Sequence, residues 1–122
     1  MKVKFIFDEK KEVLAEFYET ACAQGIYEIL PVEAKVNIWG EEYYFSIPFD
    51  FPLDETATLK VKVGDIGYWP PGKALAIFFG KTPLSVDENP IPASEVNLIG
   101  KLLDPPEVLK TLSPKKVKVV RS

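Results

Sequence analysis

The sequence predicts a mainly β fold, a closed barrel of about eight strands with two short helices. Three observations lead to this expectation. Apolar and polar residues alternate with the two-residue period of strands in many short segments. Turn residues separate these segments at regular intervals. Helical signals occur in two places, near residues 20–30 and near 105–113.

Short strand-like segments follow one another along the whole chain. The first two, at 3–7 and 13–18, flank a polar turn and are expected to pair as a hairpin. The segment at 74–79 is apolar on both faces, so it should form a central strand that is covered on both sides. The other predicted strands lie at 32–38, 42–48, 58–63 with a continuation at 66–69, 96–103 and 116–121. In the segment 58–63 the apolar positions are expected to face the core: Leu59, Val61 and Val63.

Both predicted helices carry capping signals. Thr20 precedes the first helix as an N-cap, and Pro31 ends it. The second helix is expected to begin with Asp104 as N-cap, Pro105 as the first helical residue and Glu107 two positions later, a variant of the capping box.

Length and composition set limits on the class of protein. With 122 residues, 47% apolar and 27% charged, the chain is expected to form one domain over residues 1–122. The net charge of -3 offers no basic surface for a phosphate backbone, so nucleic-acid binding is not expected. The longest apolar run, 74–79, is far shorter than the roughly 20 residues of a membrane span. The first residues alternate at once and show no signal peptide, so we expect a cytoplasmic protein with no membrane partner.

Residue types that are missing exclude much chemistry. The chain has no histidine, a single cysteine at 22 and a single arginine at 121. Histidine-based triads, imidazole zinc sites, intrachain disulfides and thiolate metal clusters are therefore ruled out. We expect no metal and no cofactor, and we interpret Cys22 as a small buried hydrophobic residue. The oligomeric state is left open.

A candidate binding face lies on the hairpin that turns at Gly40-Glu41. Alternation places an amide, a carboxylate, a hydroxyl and two aromatic rings on one side of this hairpin, which is unusual for a plain solvated sheet. Two interpretations stay open, a ligand pocket or an outer face that the long loop 81–95 covers. The adjacent Glu41 and Glu42 point to opposite faces, so as a pair we interpret them as solvated charge. The side chains of this face are Asn37, Trp39, Glu42, Tyr44 and Ser46.

Two further segments contribute candidates. Tyr68 and Trp69 stand before Pro70-Pro71-Gly72, which puts large amphipathic rings beside a rigid turn. They either belong to a recognition surface or pack against the barrel rim. Of the two adjacent phenylalanines, alternation lets only Phe79 share a face with Leu75 and Ile77.

Several motifs resemble the small prokaryotic cyclophilin-like proteins. They are GDIGYWPPG at 64–72, AIFFG at 76–80 and VNLIGK at 96–101, with NIWGEE at 37–42 and YFS at 44–46 as an earlier signature. The order of elements fits along nearly the whole chain. This resemblance implies a barrel with two helices and a ligand groove on its outer surface.

The comparison with true cyclophilins shows departures. Their Phe-His-Arg segment falls near residues 36–38 and their assisting glutamine near Ser46, where no arginine, histidine or glutamine occurs. Their pocket tryptophan and histidine fall in the loop 81–95, which contains neither. The resemblance carries over only Phe79. A cation at the prolyl nitrogen is the main electrostatic aid to isomerisation in cyclophilins, and its absence removes that aid.

Three functions compete at this point. The first is a ligand- or peptide-binding domain, with a peptide or small molecule as partner and no catalytic residues assigned. The second is a weak peptidyl-prolyl isomerase. The third is a small-molecule enzyme that uses a groove carboxylate, with Glu42 and Tyr44 as acid and base. The groove of all three is expected to be lined by Asn37, Trp39, Glu42, Tyr44, Tyr68, Trp69 and Phe79.

We predict negligible prolyl isomerase activity, because Arg121 is distant in sequence from the expected catalytic position. The measurement is a proline-limited refolding assay at micromolar concentrations of this protein. Acceleration equal to that of an ordinary cyclophilin would refute the prediction, since another donor would then have to replace the guanidinium.

Overall fold

A computed structural model describes residues 1–122. Ten antiparallel strands form one sheet that curls into a nearly closed barrel. The predicted mainly β barrel is confirmed, with ten strands where about eight were expected. The strands are β1 Lys2–Phe7, β2 Lys11–Phe17, β3 Val32–Lys35, β4 Asn37–Ile38, β5 Glu42–Ser46, β6 Ala57–Thr58, β7 Asp65–Trp69, β8 Ala74–Phe78, β9 Val96–Leu102 and β10 Lys116–Arg121.

The strand order explains how the barrel comes close to closing. Neighbours follow the order β3-β10-β1-β2-β9-β7-β8-β5-β4, and β6 pairs with β9 outside this path. The two ends of the order, β3 and β4, are consecutive in the chain and separated only by Val36. One continuous stretch of backbone therefore joins the two edges of the sheet.

The barrel interior is filled by the inward-facing residues of each strand. In β1 and β2 every second residue is buried, including Phe5, Phe7 and Phe17. Helix α1, Ala21–Ile29, packs Cys22 and Ile26 into the same cluster. No helix in the chain is long and apolar enough to cross a membrane.

The first helix begins and ends as predicted. The Thr20 hydroxyl accepts a hydrogen bond from the Ala23 amide at 3.2 Å, and the helix ends just before Pro31. Gly25 lies inside this helix despite its low helical propensity. A Cβ there would stand 2.6 Å from the Phe49 ring, so the close packing of that ring requires glycine.

The prediction of a second helix is wrong both in the length of the helix and in its N-cap. Only a 3-10 turn forms, at Pro106–Leu109, and no side chain caps it. Asp104 instead accepts a hydrogen bond from the Leu14 amide at 2.8 Å. Because Asp104 fastens the chain to β2, it is not available to cap the turn.

The prediction for 58–63 is also wrong in part. Only Ala57–Thr58 pairs as a strand, with β9. Leu59 and Val63 are 50% and 42% exposed, whereas Val61 is buried. The segment crosses outside the barrel, so Val61 covers the outer face of the sheet and its two apolar neighbours point to solvent.

Strand β8 confirms the expectation of a central strand covered on both faces. All five of its residues are buried. Leu75 and Ile77 belong to the interior cluster, while Ala76 and Phe78 belong to a smaller cluster outside the barrel with Val61 and Val96. A second apolar layer therefore lies on the outer surface of β8.

Tyr43 fastens the 3-10 turn to the barrel. Its buried hydroxyl lies 2.6 Å from the Leu109 carbonyl and 3.0 Å from the Leu112 carbonyl. Burial raises the pKa of Tyr43 to about 12. The hydroxyl thus stays protonated and can donate to these carbonyls over the whole ordinary pH range.

We predict that Tyr43→Phe lowers the free energy of unfolding by about 1–3 kcal/mol, because the carbonyls lose their buried donor. The matched control is Tyr44→Phe on the opposite, partly exposed face of β5, which we expect to change stability by no more than about 0.5 kcal/mol. Urea unfolding of both variants is the measurement. Equal losses in the two variants would contradict the anchoring role.

Candidate functional site

A pocket lies on the outer face of the barrel, between the sheet and the loop 81–95. Its volume is about 180 Å³. The sheet provides the floor and one wall, and the end of the loop provides the opposite wall. Six of the eight lining residues are hydrophobic, and the full set is Trp39, Glu42, Tyr44, Trp69, Phe78, Pro92, Ala93 and Val96.

Strand register explains why these side chains meet. Glu42 of β5 is paired with Phe78 of β8, and Tyr44 is paired with Ala76. Cross-strand partners share a face, so these four side chains point outward together. The intervening Tyr43 points into the barrel core. Strand period alone therefore separates the pocket residues of β5 from its core residues.

The turn before β5 brings Trp39 to the pocket. Gly40 adopts a positive φ of 61°, and the Trp39 amide donates to the Glu42 carbonyl at 3.0 Å. A Cβ at Gly40 would lie 2.8 Å from the Lys81 carbonyl, so only glycine fits here without strain. This tight reversal matches the turn predicted at Gly40-Glu41.

The loop 81–95 is fastened at both ends. At its start, the Glu41 amide donates to the Lys81 carbonyl at 2.7 Å. At its end, the indole Nε1 of Trp69 donates to the Ser94 hydroxyl at 2.6 Å. Trp69 also packs edge-to-face on Tyr44, with ring centroids 6.3 Å apart. Trp69 thus joins the sheet to the loop wall of the pocket.

Hydrogen bonds inside the loop give it a fixed shape. The buried Thr82 hydroxyl donates to the Ile91 carbonyl at 2.6 Å, and its amide donates to the Ser85 hydroxyl at 2.9 Å. Ser85 in turn donates to the Asn89 carbonyl at 2.7 Å. The loop wall is therefore preformed, as ligand pockets usually are.

Glu42 is the unusual group of the pocket. It is only 7% exposed, and its Oε1 atom is buried without any hydrogen-bond partner. Burial raises the pKa of Glu42 to about 8, since the charged form loses its hydration and gains no cation in return. The carboxyl is therefore mostly protonated at neutral pH. The interpretation of Glu41 and Glu42 as a solvated pair is wrong for Glu42, because the loop wall shields it from water.

Four of the seven predicted groove residues line the pocket together: Trp39, Glu42, Tyr44 and Trp69. Asn37 is exposed and outside the lining, and its amide lies 3.4 Å from the Tyr44 carbonyl. Tyr68 and Phe79 face the barrel interior instead. Tyr68 donates to the Phe49 carbonyl at 2.6 Å, and Phe79 packs on Tyr43 at 4.5 Å between ring centroids.

The placement of Phe79 has a simple cause. Alternation correctly grouped it with Leu75 and Ile77, and that face is the inside of the barrel. Phe78 takes the outward position and lines the pocket. The sequence signal for Phe78 was present, because β8 is apolar on both faces and its outward residues must be covered by something.

Pro92, Ala93 and Val96 also line the pocket and were not predicted. No local pattern marks the first two as wall residues, because their position depends on how the loop folds back. Arg121 lies elsewhere, donating to the Tyr27 and Glu28 carbonyls at 3.1 Å each. No group of three or more histidine, cysteine, aspartate or glutamate side chains is placed to hold a metal ion.

The fold and the pocket together define a class, antiparallel β-barrels with a small ligand-sized pocket on the outer surface. Comparison with protein families specifies it further. The family described as cyclophilin-like matches residues 1–121, and the chain belongs to this family. The resemblance seen in the sequence motifs is thereby confirmed.

Two solved structures are similar to the chain. A hypothetical protein from Archaeoglobus fulgidus, known from a solution structure, is 34% identical, with a TM-score of 0.82, and the match covers 100% of this chain and 95% of that one. McbB in complex with tryptophan is 15% identical, with a TM-score of 0.68; the match covers 98% of this chain and 44% of McbB. At that identity the likeness to McbB shows the fold alone. No curated protein matches the chain.

We predict that Glu42 makes stability fall as pH rises from about 5 to about 8. The folded state keeps the Glu42 proton up to about pH 8, while the unfolded chain releases it near the ordinary value of 4.5. In that interval the folded state binds more protons, so each pH unit costs up to about 1.4 kcal/mol of unfolding free energy. Urea unfolding at several pH values measures this slope.

The variants for this test are Glu42→Gln and Glu95→Gln. Glutamine has no proton to lose, so Glu42→Gln should remove the slope and be more stable than the parent protein at pH 8. Glu95 is exposed beside the pocket, and its variant should keep the parental slope. If Glu42→Gln also keeps the parental slope, Glu42 is ionised in the folded protein and the assignment is wrong.

Proposed function

We propose that this protein binds a small organic ligand in the outer pocket and that Glu42 forms the polar contact with it. The observation that carries the proposal is the buried Oε1 of Glu42, which has no partner within the chain. An unsatisfied buried polar atom costs about 1–3 kcal/mol. A ligand that bonds to this atom would recover that loss, which gives the pocket a reason to be occupied.

The dimensions of the pocket favour a small ligand. A volume of about 180 Å³ is below the roughly 300–1,000 Å³ of sites for drug-sized molecules. It is close to the roughly 150 Å³ cavity that holds one benzene molecule. We therefore propose a ligand with one ring or a group of similar size, rather than an extended peptide.

The lining agrees with this kind of ligand. Sites for small molecules combine mostly apolar and aromatic walls with a few placed polar groups. Here Trp39, Tyr44, Trp69 and Phe78 supply the rings, and Glu42 supplies the polar group. McbB is an example of a protein with a related fold whose structure holds a small molecule, tryptophan. That example is consistent with a small organic ligand in a protein of related fold.

A second candidate function has one observation in its favour. A carboxyl with a pKa of about 8 is suited to general acid or base catalysis near neutral pH. Glu42 would exchange a proton with the bound molecule, and the neighbouring Tyr44 hydroxyl would orient it. The pocket lining contains no nucleophilic serine, cysteine or lysine and no pair of carboxylates, so we rank binding before catalysis.

Prolyl isomerisation is the least supported function. The lining of the pocket includes no cation, and the guanidinium of Arg121 is engaged by helix α1 carbonyls. We propose that any isomerase activity is far below that of cyclophilins.

We predict that indole and benzyl alcohol bind in the pocket and shift the backbone amide signals of β5, β8 and the end of the loop 81–95. Two-dimensional NMR titration of the whole protein measures this. Ala93→Phe should abolish the shifts, because Ala93 lines the pocket and a larger side chain there fills it. The matched control is Ala21→Phe, an exposed position at the start of helix α1, which should bind like the parent protein.

Three outcomes would count against the proposal. Shifts that Ala93→Phe leaves unchanged would place the binding elsewhere. Absence of shifts at millimolar ligand would leave the pocket without a ligand of the proposed size. Binding of proline-containing peptides with no response to either small molecule would favour a peptide groove.

A further inference from the structure

The pocket contains one acidic side chain and no basic one. This difference indicates which class of ligand the site would bind, an inference that rests on the function proposed above. Of the eight lining residues, Glu42 alone carries an acidic or basic side chain. The nearest acidic neighbour in sequence, Glu41, pairs with Lys110 at 3.7 Å, whereas Glu42 forms no ion pair. The pocket thus offers one potential negative charge and no compensating positive charge.

Among the residues that line the pocket with Glu42, the only other titratable group is Tyr44, which lies on the same strand. Strands β7, β8 and β9, the β4–β5 turn and the loop contribute no titratable group to the lining. Their lining residues are Trp69, Phe78, Val96, Trp39, Pro92 and Ala93. The charge state of Glu42 therefore depends on what enters the pocket.

Aromatic side chains form half of the lining. Trp39, Tyr44, Trp69 and Phe78 come from four different segments and converge on one small volume. The faces of such rings attract cations, with tryptophan the strongest, and the attraction grows when the contact is shielded from water. Several rings with one carboxylate form the combination that protein sites use to recognise ammonium groups.

We propose that the pocket recognises the protonated nitrogen of a small amine, which donates a hydrogen bond to the unpartnered Oε1 of Glu42 while the rings surround its carbon substituents. An anion would meet the carboxyl and find no donor to replace its hydration. A neutral hydroxyl satisfies the same oxygen but gains nothing from the ring quadrupoles. An ammonium group gains from both, so the arrangement discriminates by charge.

Occupancy by an amine changes the protonation of Glu42. The empty pocket holds a neutral carboxyl, because burial disfavours its charge. A bound cation favours the carboxylate, so binding below about pH 8 releases one proton to the solvent. Affinity for an amine should then rise with pH, by up to about tenfold per unit between pH 6 and 8. A neutral ligand should show neither effect.

The test compares benzylamine with benzyl alcohol, which match in ring and length and differ in the charge of the polar group. Calorimetric titration of the whole protein at pH 6.5, in two buffers of different ionisation enthalpy, gives both the affinity and the number of protons released. We expect benzylamine to bind at least about tenfold more tightly than benzyl alcohol. We also expect release of close to one proton for benzylamine and none for the alcohol.

Glu42→Gln provides the matched variant. It keeps the size and hydrogen-bonding capacity of the neutral carboxyl, so it should retain binding of benzyl alcohol while losing at least about tenfold in affinity for benzylamine. Proton release should disappear with it. Glu95→Gln, beside the pocket but outside its lining, should behave like the parent protein. If Glu42→Gln does not fold, proton release by the parent protein decides the question.

The outcomes separate this inference from the proposed function. If benzyl alcohol binds as tightly as benzylamine, or if benzylamine binds without proton release, the amine inference is overturned and the small-ligand site stands. If neither compound binds, both proposals fail. Tighter binding of benzylamine that Glu42→Gln leaves intact would also overturn the inference, since the cation would then be recognised elsewhere.

Discussion

Strand β8 is buried on both faces, and most features of this protein follow from that constraint. Its inward residues complete the barrel core, as in any such sheet. Its outward residues, Ala76 and Phe78, are equally apolar and need a cover that the barrel itself does not provide. Burying a large side chain such as phenylalanine contributes about 1.5–3 kcal/mol. The segments around Val61 and Val96 and the loop 81–95 supply the cover. The pocket is the part of this outer layer that the covering segments leave unfilled.

The barrel was predictable because it depends on local periodicity. Alternation in β1, β2 and β10, and the covered character of β8, could be seen from the order of apolar residues alone. The Thr20 cap was predictable for the same reason, since its partner is three residues away. The signal at Asp104 was equally clear but misleading. By the local capping rule, this carboxylate should have capped the turn that follows it. In the folded chain it instead accepts a hydrogen bond from the Leu14 amide, 90 residues away in sequence.

The pocket was predictable in part. Alternation along β5 brought Glu42 and Tyr44 to one face, and the turn at Gly40 added Trp39 to the same side. Periodicity shows which residues share a face of a strand, but not whether that face points into the barrel or outward. It grouped Phe79 with the correct residues, but the curl of the sheet decides whether that face points into the core. Tyr68 and Trp69 were both assigned to the groove because they precede the proline turn, but adjacent strand residues face opposite sides, so Tyr68 lies in the interior while Trp69 lines the pocket. The burial of Glu42 was beyond reach, because it arises from a loop that returns over the sheet from about 50 residues further along the chain.

The positions of the two tryptophans have a consequence for fluorescence spectroscopy. The chain contains two tryptophans, and both Trp39 and Trp69 flank the pocket. Ultraviolet emission excited at the red edge of protein absorption therefore originates entirely beside the site. In most proteins tryptophan emission is an average over indoles in distant parts of the molecule. Here it is a native optical probe of a single location, so an occupant that quenches or shifts the emission can be followed without any label.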